Sequence, residues 1–311
     1  MEKLRRTALA PSTLNTYQAG IKRYLNFCST HHLKPLPGTK QTMALFVTEL
    51  SMALQPKTIQ VYISAVSYLH HANGHKSPAT NNPVIKLLLQ GVERSMPAAH
   101  LKPKRLPITN KMLGQMLSRL DRDHRSAHDR LMLKAAITLG FFGLLRVSEF
   151  TVANQHGLNP ERNLTIEDIT MLKESMVVTI KRSKTDQRGE GCQIHIGQTH
   201  NKCCPHLAMQ RYLGQMTQSA GKPLFQFKSG KALTSRALRL VLHHLIRKSG
   251  YNKKLYNTHC LRIGAATAAA RSGLTPEAIK NLGRWRSEAY KVYTRHPLTR
   301  PSDSAIIALA Q

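Results

Sequence analysis

The sequence predicts a mainly α-helical protein with one small β-sheet, arranged as a helical module over 1–97 followed by an α+β domain over 107–311. Three observations predict it. The length of 311 residues suits two domains, since compact domains run to about 100–200 residues. Apolar residues recur three and four apart through the first third, which is the helical period. Only between 164 and 196 does the texture turn β-rich.

The first domain opens with Ser12 and Thr13 as expected caps of a helix. Its apolar stripe is Leu14, Tyr17, Ile21, Tyr24 and Cys28, with Lys22 and Arg23 off the stripe. Lys34-Pro35-Leu36-Pro37-Gly38 is a turn-rich break. A second helix is expected over 42–53, a third after Pro56 with Ile59, Ile63, Val66 and Leu69 inward, and a fourth over 83–94. Basic residues on their outer faces suit either a DNA-binding module or a plain bundle with solvated charges.

The segment 97–107, reading PAAHLKPKRLP, holds three prolines and three Lys/Arg and marks a basic linker over 98–106. Lys102-Pro103-Lys104-Arg105 would also serve as a nuclear-import signal. Beyond it, helices are expected at 109–122 and 127–145, strands at 164–171, 175–180 and 192–196, and helices again at 205–216, 235–248, 259–272, 276–282 and 287–294.

Charge points to the partner. Lys and Arg total 46 against 16 Asp and Glu, a net charge of +30. Residues 1–98 carry +8 of it and the remainder +22, so both domains are expected to touch one polyanion. Only six aspartates occur, too few to favour metal-dependent phosphoryl transfer, which gathers carboxylates around its ions. No run approaches the roughly 18 apolar residues of a membrane span. Residues 1–10 are too short and too charged for a secretory signal, and five scattered cysteines suit a reducing compartment.

Four clusters carry candidate chemistry. Arg146 follows the apolar run 131–145 and needs an anion, either Glu149 or a ligand. Lys184 lies in Lys181-Arg182-Ser183-Lys184-Thr185-Asp186, at a strand end entering a turn. His259 and Arg262 share a helix face, with small residues from Gly264 to Ala270 behind them. Gly283-Arg284-Trp285 precedes Tyr290 and Tyr293. Each cluster alone also reads as packing, an ion pair or solvated charge. His195, His200, Cys203, Cys204 and His206 are zinc-ligand types, but their spacing fits no common zinc pattern, so no metal is expected.

The order Arg146, Lys184, His259-x-x-Arg262, Gly283-Arg284-Trp285, then Tyr293 ten residues after the Gly resembles the tyrosine recombinase (phage integrase) family. The phrases LLRVSEF, RSKTDQ, THCLRIGAATAAA and GRWRSEAYKVYTR are similar to recombinases of Crypton and DIRS-type mobile elements. The resemblance implies a core-binding domain at the N-terminus and a catalytic domain over about 107–296. It implies site-specific cutting and rejoining of DNA through a covalent 3′-phosphotyrosine, with Tyr293 as nucleophile. Arg146 and Arg262 would grip the phosphate, Lys184 would protonate the leaving oxygen, His259 would assist, and Glu149 would orient Arg146 or His259.

The implied partners are double-stranded DNA and three further copies in a homotetramer on paired sites, with no membrane, metal or nucleotide cofactor. The compartment would be the nucleus in a eukaryote. One departure stands out. The family commonly has His or Trp directly after the Gly; here Arg284 takes that place and Trp285 follows, so either could contact the phosphate. The apolar tail 302–311 is expected to dock on a neighbour or on its own domain. The rival reading is a domesticated DNA-binding protein without catalysis; a type IB topoisomerase shares the chemistry.

Overall fold

The computed structural model describes residues 8–95, 104–184, 186, 188–216 and 221–294. Two compact units divide the chain, 1–103 and 104–311. Segment 98–103 of the linker and the tail 302–311 lie outside the described residues.

The first unit is four helices, α1 (Pro11–Thr30), α2 (Lys40–Ser51), α3 (Pro56–Ala72) and α4 (Pro83–Ser95). Ser12 and Thr13 are not caps. The helix already starts at Pro11, whose fixed φ and missing N–H suit a first turn. At α2 the Thr39 side chain accepts from the Thr42 N–H, so the helix begins before the expected 42. Tyr24, Phe27, Met43, Phe46, Leu50, Ile59 and Val66 form the core. Leu14, Tyr17 and Ile21 are only half-buried, because the burial stripe of α1 runs through Gly20, Tyr24, Phe27 and Cys28. Gly20 lets α1 sit against α3, since a Cβ there would lie 3.0 Å from the Ala65 Cβ.

The second unit contains α5 (Asn110–Asp121), α6 (Ala127–Phe142), α7 (Val147–Phe150), β1 (Ile169–Met171), β2 (Ser175–Ile180), β3 (Cys192–Gly197), α8 (Pro205–Leu213), α9 (Ser235–Lys248), α10 (His259–Arg271) and α11 (Pro276–Gly283). It is mainly helical around a three-stranded antiparallel sheet in the order β1-β2-β3. Val178 of β2 pairs with Ile169 on one side and Ile194 on the other. Met176, Val178 and Ile180 turn alternate side chains into a core shared with α6, α8, α9 and α10.

Several elements are shorter than expected, each for a local reason. The expected strand 164–171 shrinks to Ile169–Met171. The Thr165 N–H and hydroxyl both donate to Asp168 Oδ2, winding Ile166–Asp168 into a 3₁₀ turn. The expected helix 127–145 stops at Phe142, where the Gly143 N–H bonds back to Leu139 O and Leu144 adopts a left-handed φ of 46°. The expected helix 287–294 is a 3₁₀ helix over Glu288–Val292. Within the expected linker, the Leu106 N–H already donates to Leu255 O, so the chain joins the second unit there.

Two glycines explain how α10 becomes central. A Cβ on Gly264 would collide with the Ile108 carbonyl, and one on Gly140 of α6 would lie 2.9 Å from Phe150. The small residues following Arg262 therefore let backbone press on backbone.

Candidate active site

The turn after α6 sets the site. Leucine rarely adopts left-handed backbone, and at Leu144 the conformation aims a carbonyl at two arginines. Arg262 Nη1 donates to Leu144 O, and Arg284 Nη2 lies 3.3 Å from the same oxygen. Arg262 Nη2 donates to Gly283 O, which ties α10 to the end of α11.

Glu149, only 3% exposed, is the carboxylate at the centre. Its Oε2 accepts from the Arg146 backbone N–H at 2.8 Å and from Arg284 Nη2 at 2.9 Å, while Oε1 accepts from Arg146 Nη1 at 3.2 Å. The Arg146–Glu149 ion pair expected from sequence exists, but it is half of a larger group. Among the described residues, three guanidiniums, Arg146, Arg262 and Arg284, face one carboxylate.

That imbalance shows in two ways. Arg262 is 1% exposed, and its burial, followed by repulsion from Arg146 and Arg284, pushes it down to about 10 against the smaller opposing pulls of Glu149 and Tyr293. Donors also outnumber acceptors. Arg262 Nε, Arg284 Nε and Arg284 Nη1 are buried without a hydrogen-bond partner among the described residues. A stranded buried donor costs about 1–3 kcal/mol, so the cluster is chemically unfinished without an anion.

An aromatic group closes it. The Trp285 ring centroid lies 4.5 Å from Arg262 Cζ and 4.9 Å from the Tyr293 ring. His259, exposed at the start of α10, meets Tyr293 edge-on at 5.1 Å. The Thr267 hydroxyl, 3.0 Å from Tyr293 O, ties that residue's backbone to α10. Tyr290 is built differently. It is 7% exposed and its ring sits 5.4 Å from Lys280 Nζ.

Arg146, Glu149, His259, Arg262, Arg284, Trp285 and Tyr293 therefore come together; Lys184 does not join them. It is exposed on the turn between β2 and β3, with no hydrogen bond or ion pair among the described residues. That turn is organised by Asp186, whose carboxylate accepts from the N–H groups of Gly189, Glu190 and Gly191. These bonds, chiefly that of Gly191, hold the Asp186 carboxyl below the usual range. The turn borders a cleft of about 120 Å³ that Ser183, Asp186, Glu190, Arg284 and Arg286 help to line.

Sequence reasoning missed the two backbone carbonyls, Leu144 O and Gly283 O, and the Thr267 hydroxyl. Backbone acceptors leave no residue-type signal; Gly143 just before the turn was the one available hint. The His195–His206 stretch makes other contacts. His206 bonds Leu172 O at 2.9 Å and Gln198 Nε2 at 3.0 Å, and the Thr199 N–H points at Cys204 Sγ. No group of three or more His, Cys, Asp or Glu among the described residues is placed to hold a metal.

Residues 107–298 match the model of the phage integrase family. An integrase/recombinase XerD homologue of Selenomonas ruminantium is 24% identical over 288 residues, covering 90% of this chain and 80% of its own. Two solved folds are similar. One is the XerH site-specific recombinase bound to its difH substrate before cleavage, with TM-score 0.63 and 18% identity over 94% of this chain and 79% of that one. The other is the Tn1549 transposon integrase with transposon right-end DNA, with TM-score 0.64 and 16% identity over 98% of this chain and 96% of that one. Fold, family model and an arginine cluster with Arg262 against a tyrosine agree: the chain belongs to the phage integrase family of tyrosine recombinases.

Proposed function

We propose that this protein cuts and rejoins DNA strands at specific sites, with Tyr293 forming a covalent 3′-phosphotyrosine. One observation carries the proposal: three guanidiniums gathered, among the described residues, around a single carboxylate, with Arg262 against a tyrosine. Such a cluster accepts a phosphodiester and stabilises the charge that builds on its nonbridging oxygens during attack. Tyr293 Oη forms a bond to phosphorus as the P–O5′ bond breaks. The tyrosine gives up its proton, with His259 beside its ring to assist, and Lys184 supplies the proton that the 5′-oxygen needs. The phosphotyrosine keeps the bond energy, so a 5′-hydroxyl can reverse the step without a cofactor. Lys184 would reach this role from the β2–β3 turn, whose Ser183 and Asp186 border the cleft that Arg284 lines, and a DNA phosphate seated at that cleft would bring the leaving oxygen towards it.

The net charge of +30 supports duplex DNA as substrate. The similarity of LLRVSEF and THCLRIGAATAAA to Crypton and DIRS-type recombinases supports a mobile-element role in DNA integration. A homotetramer on paired sites, and a nuclear location in a eukaryote, belong to the same proposal and rest on the resemblance.

A duplex selected from a random pool, nicked near the cut site, tests the chemistry. The short fragment diffuses away and the covalent complex is trapped. Tyr293→Phe is expected to abolish the complex and leave DNA binding intact, while Tyr290→Phe retains it. An adduct mapped to Tyr290 overturns the assignment. Binding without any adduct favours the domesticated DNA-binding protein, and relaxation of plasmids lacking the selected site favours a topoisomerase.

A further inference from the structure

We propose that Arg284 is a third phosphate-binding guanidinium of this site, and that Trp285 is no phosphate ligand but the post against which Arg262 and Tyr293 are stacked. This rests on the reading of the cluster as a DNA-cleaving site.

The backbone makes the first argument. Arg284 ends α11 at φ 56° and ψ 43°, left-handed geometry where glycine is the usual residue. A side chain held there against a conformational penalty of about 1–2 kcal/mol calls for a use. Its N–H still closes the helix by bonding Asn281 O and Lys280 O, and Trp285 N–H bonds Lys280 O. The turn thus points successive residues to different places.

Hydrogen bonding makes the second. Arg284 Nη2 is committed to Glu149 Oε2 and Leu144 O, which fixes the guanidinium plane. Its Nε and Nη1 are then left buried with no acceptor among the described residues, and Arg262 Nε is left in the same state. Arg284 also lines the cleft bordered by the β2–β3 turn. A phosphodiester brings the acceptors this site lacks. In the transition state two negative charges gather on the phosphoryl oxygens, and a third guanidinium opposes them directly. Arg284 exchanges no proton in this role.

Trp285 is engaged differently. Its indole lies over Gly283, where any Cβ would collide with the ring. It also faces Arg262 Cζ at 4.5 Å and Tyr293 at 4.9 Å. These contacts hold one cation and the attacking ring in place, so Trp285 is a positioning residue.

Two measurements decide the matter. The first needs no cleavage: the rise in melting midpoint that inorganic phosphate gives the full chain. Arg284→Gln should lose most of that rise, and Trp285→Phe should keep it. The second follows covalent complex formation on the selected nicked duplex, with either a phosphate or a neutral methylphosphonate at the cut position. Arg284→Ala should slow the phosphate reaction by about 100-fold or more. Its deficit should shrink at least about tenfold on methylphosphonate, because one charge to be neutralised is gone. Trp285→Phe should show the same deficit on both substrates. An Arg284→Ala deficit equal on both, with an unchanged phosphate response, overturns the proposal. If the wild type forms no adduct at all, the strand-cutting reading fails, and the phosphate response still decides whether Arg284 binds the anion. Arg284→Lys guards against misfolding: a retained charge should recover part of the phosphate response.

Discussion

His70 in the first unit and Arg262 in the second are both buried polar side chains, and their surroundings differ in one respect. His70 is 0% exposed and closed on both sides. Its Nδ1 lies 2.8 Å from Val66 O, which can only accept, so Nδ1 carries the proton; its Nε2 accepts from the Gly38 N–H at 2.9 Å. The network is neutral, and every ring nitrogen has its partner. Arg262 is as deeply buried, yet it carries charge beside two other cations and keeps an Nε without a partner among the described residues. A polar group buried to hold a fold is satisfied by the fold. One left short of acceptors in a cleft is completed by something else. The contrast separates the two roles without reference to any family.

The strongest way to test that contrast is to remove the one carboxylate. Glu149→Gln keeps the shape and removes the charge that pairs with Arg146 and Arg284. Breaking a buried ion pair from one side costs about 3–5 kcal/mol, and a loss of that order is expected in denaturant unfolding of the second unit. Sulfate should restore a large part of it, because an added anion does what the carboxylate did. A Glu149→Gln protein whose stability ignores sulfate would show that the cluster is closed, like His70.

His70→Phe is the matching change in the first unit. The ring volume is kept, while the Gly38 N–H loses its acceptor and the Val66 carbonyl its donor. The stranded N–H costs about 1–3 kcal/mol. Amide hydrogen exchange at Gly38 should accelerate accordingly, and sulfate should not slow it. Recovery by sulfate in this variant would erase the distinction between the two regions.

How much of this was legible in the sequence depends on whether a feature resides in side-chain type or in backbone path. Arg146, Glu149, His259, Arg262 and Tyr293 stand out by residue type and order, and the structure brings them together. The buried run ending in α6 was legible because an apolar stretch without a polar face has one destination. Its end was not, because a leucine in left-handed backbone contradicts local propensity and is imposed by packing. The same holds for Arg284, whose left-handed turn decides which of Gly283-Arg284-Trp285 faces the arginine cluster by which group. The strand expected over 164–171 failed because a single carboxylate, Asp168, outbid the sheet for the Thr165 N–H. Lys184 carries a position in a motif, while its exposed place on the turn follows from Asp186 and two positive-φ glycines, Gly189 and Gly191.

The smallest expected effect is in pH, and its sign follows from the same surplus of charge. Arg262 is pushed well below the ordinary arginine range, to about 10, by burial first and then by Arg146 and Arg284. Between about 10 and that ordinary range the unfolded chain holds a proton that the folded chain has released. This group's share of stability therefore rises with pH through that window, and its penalty is fully present below about 10. An anion favours the charged form, so the stabilisation by sulfate should run the other way, full at neutral pH and falling as pH climbs past about 10. Sulfate also binds surface lysines unspecifically, which makes a control necessary. In Arg262→Gln the lysines remain and the buried charge is gone, so its sulfate response should be smaller at neutral pH and fall less steeply. Parallel curves for the two proteins would mean that sulfate never reached the cluster, and that Arg262 is closed off as His70 is.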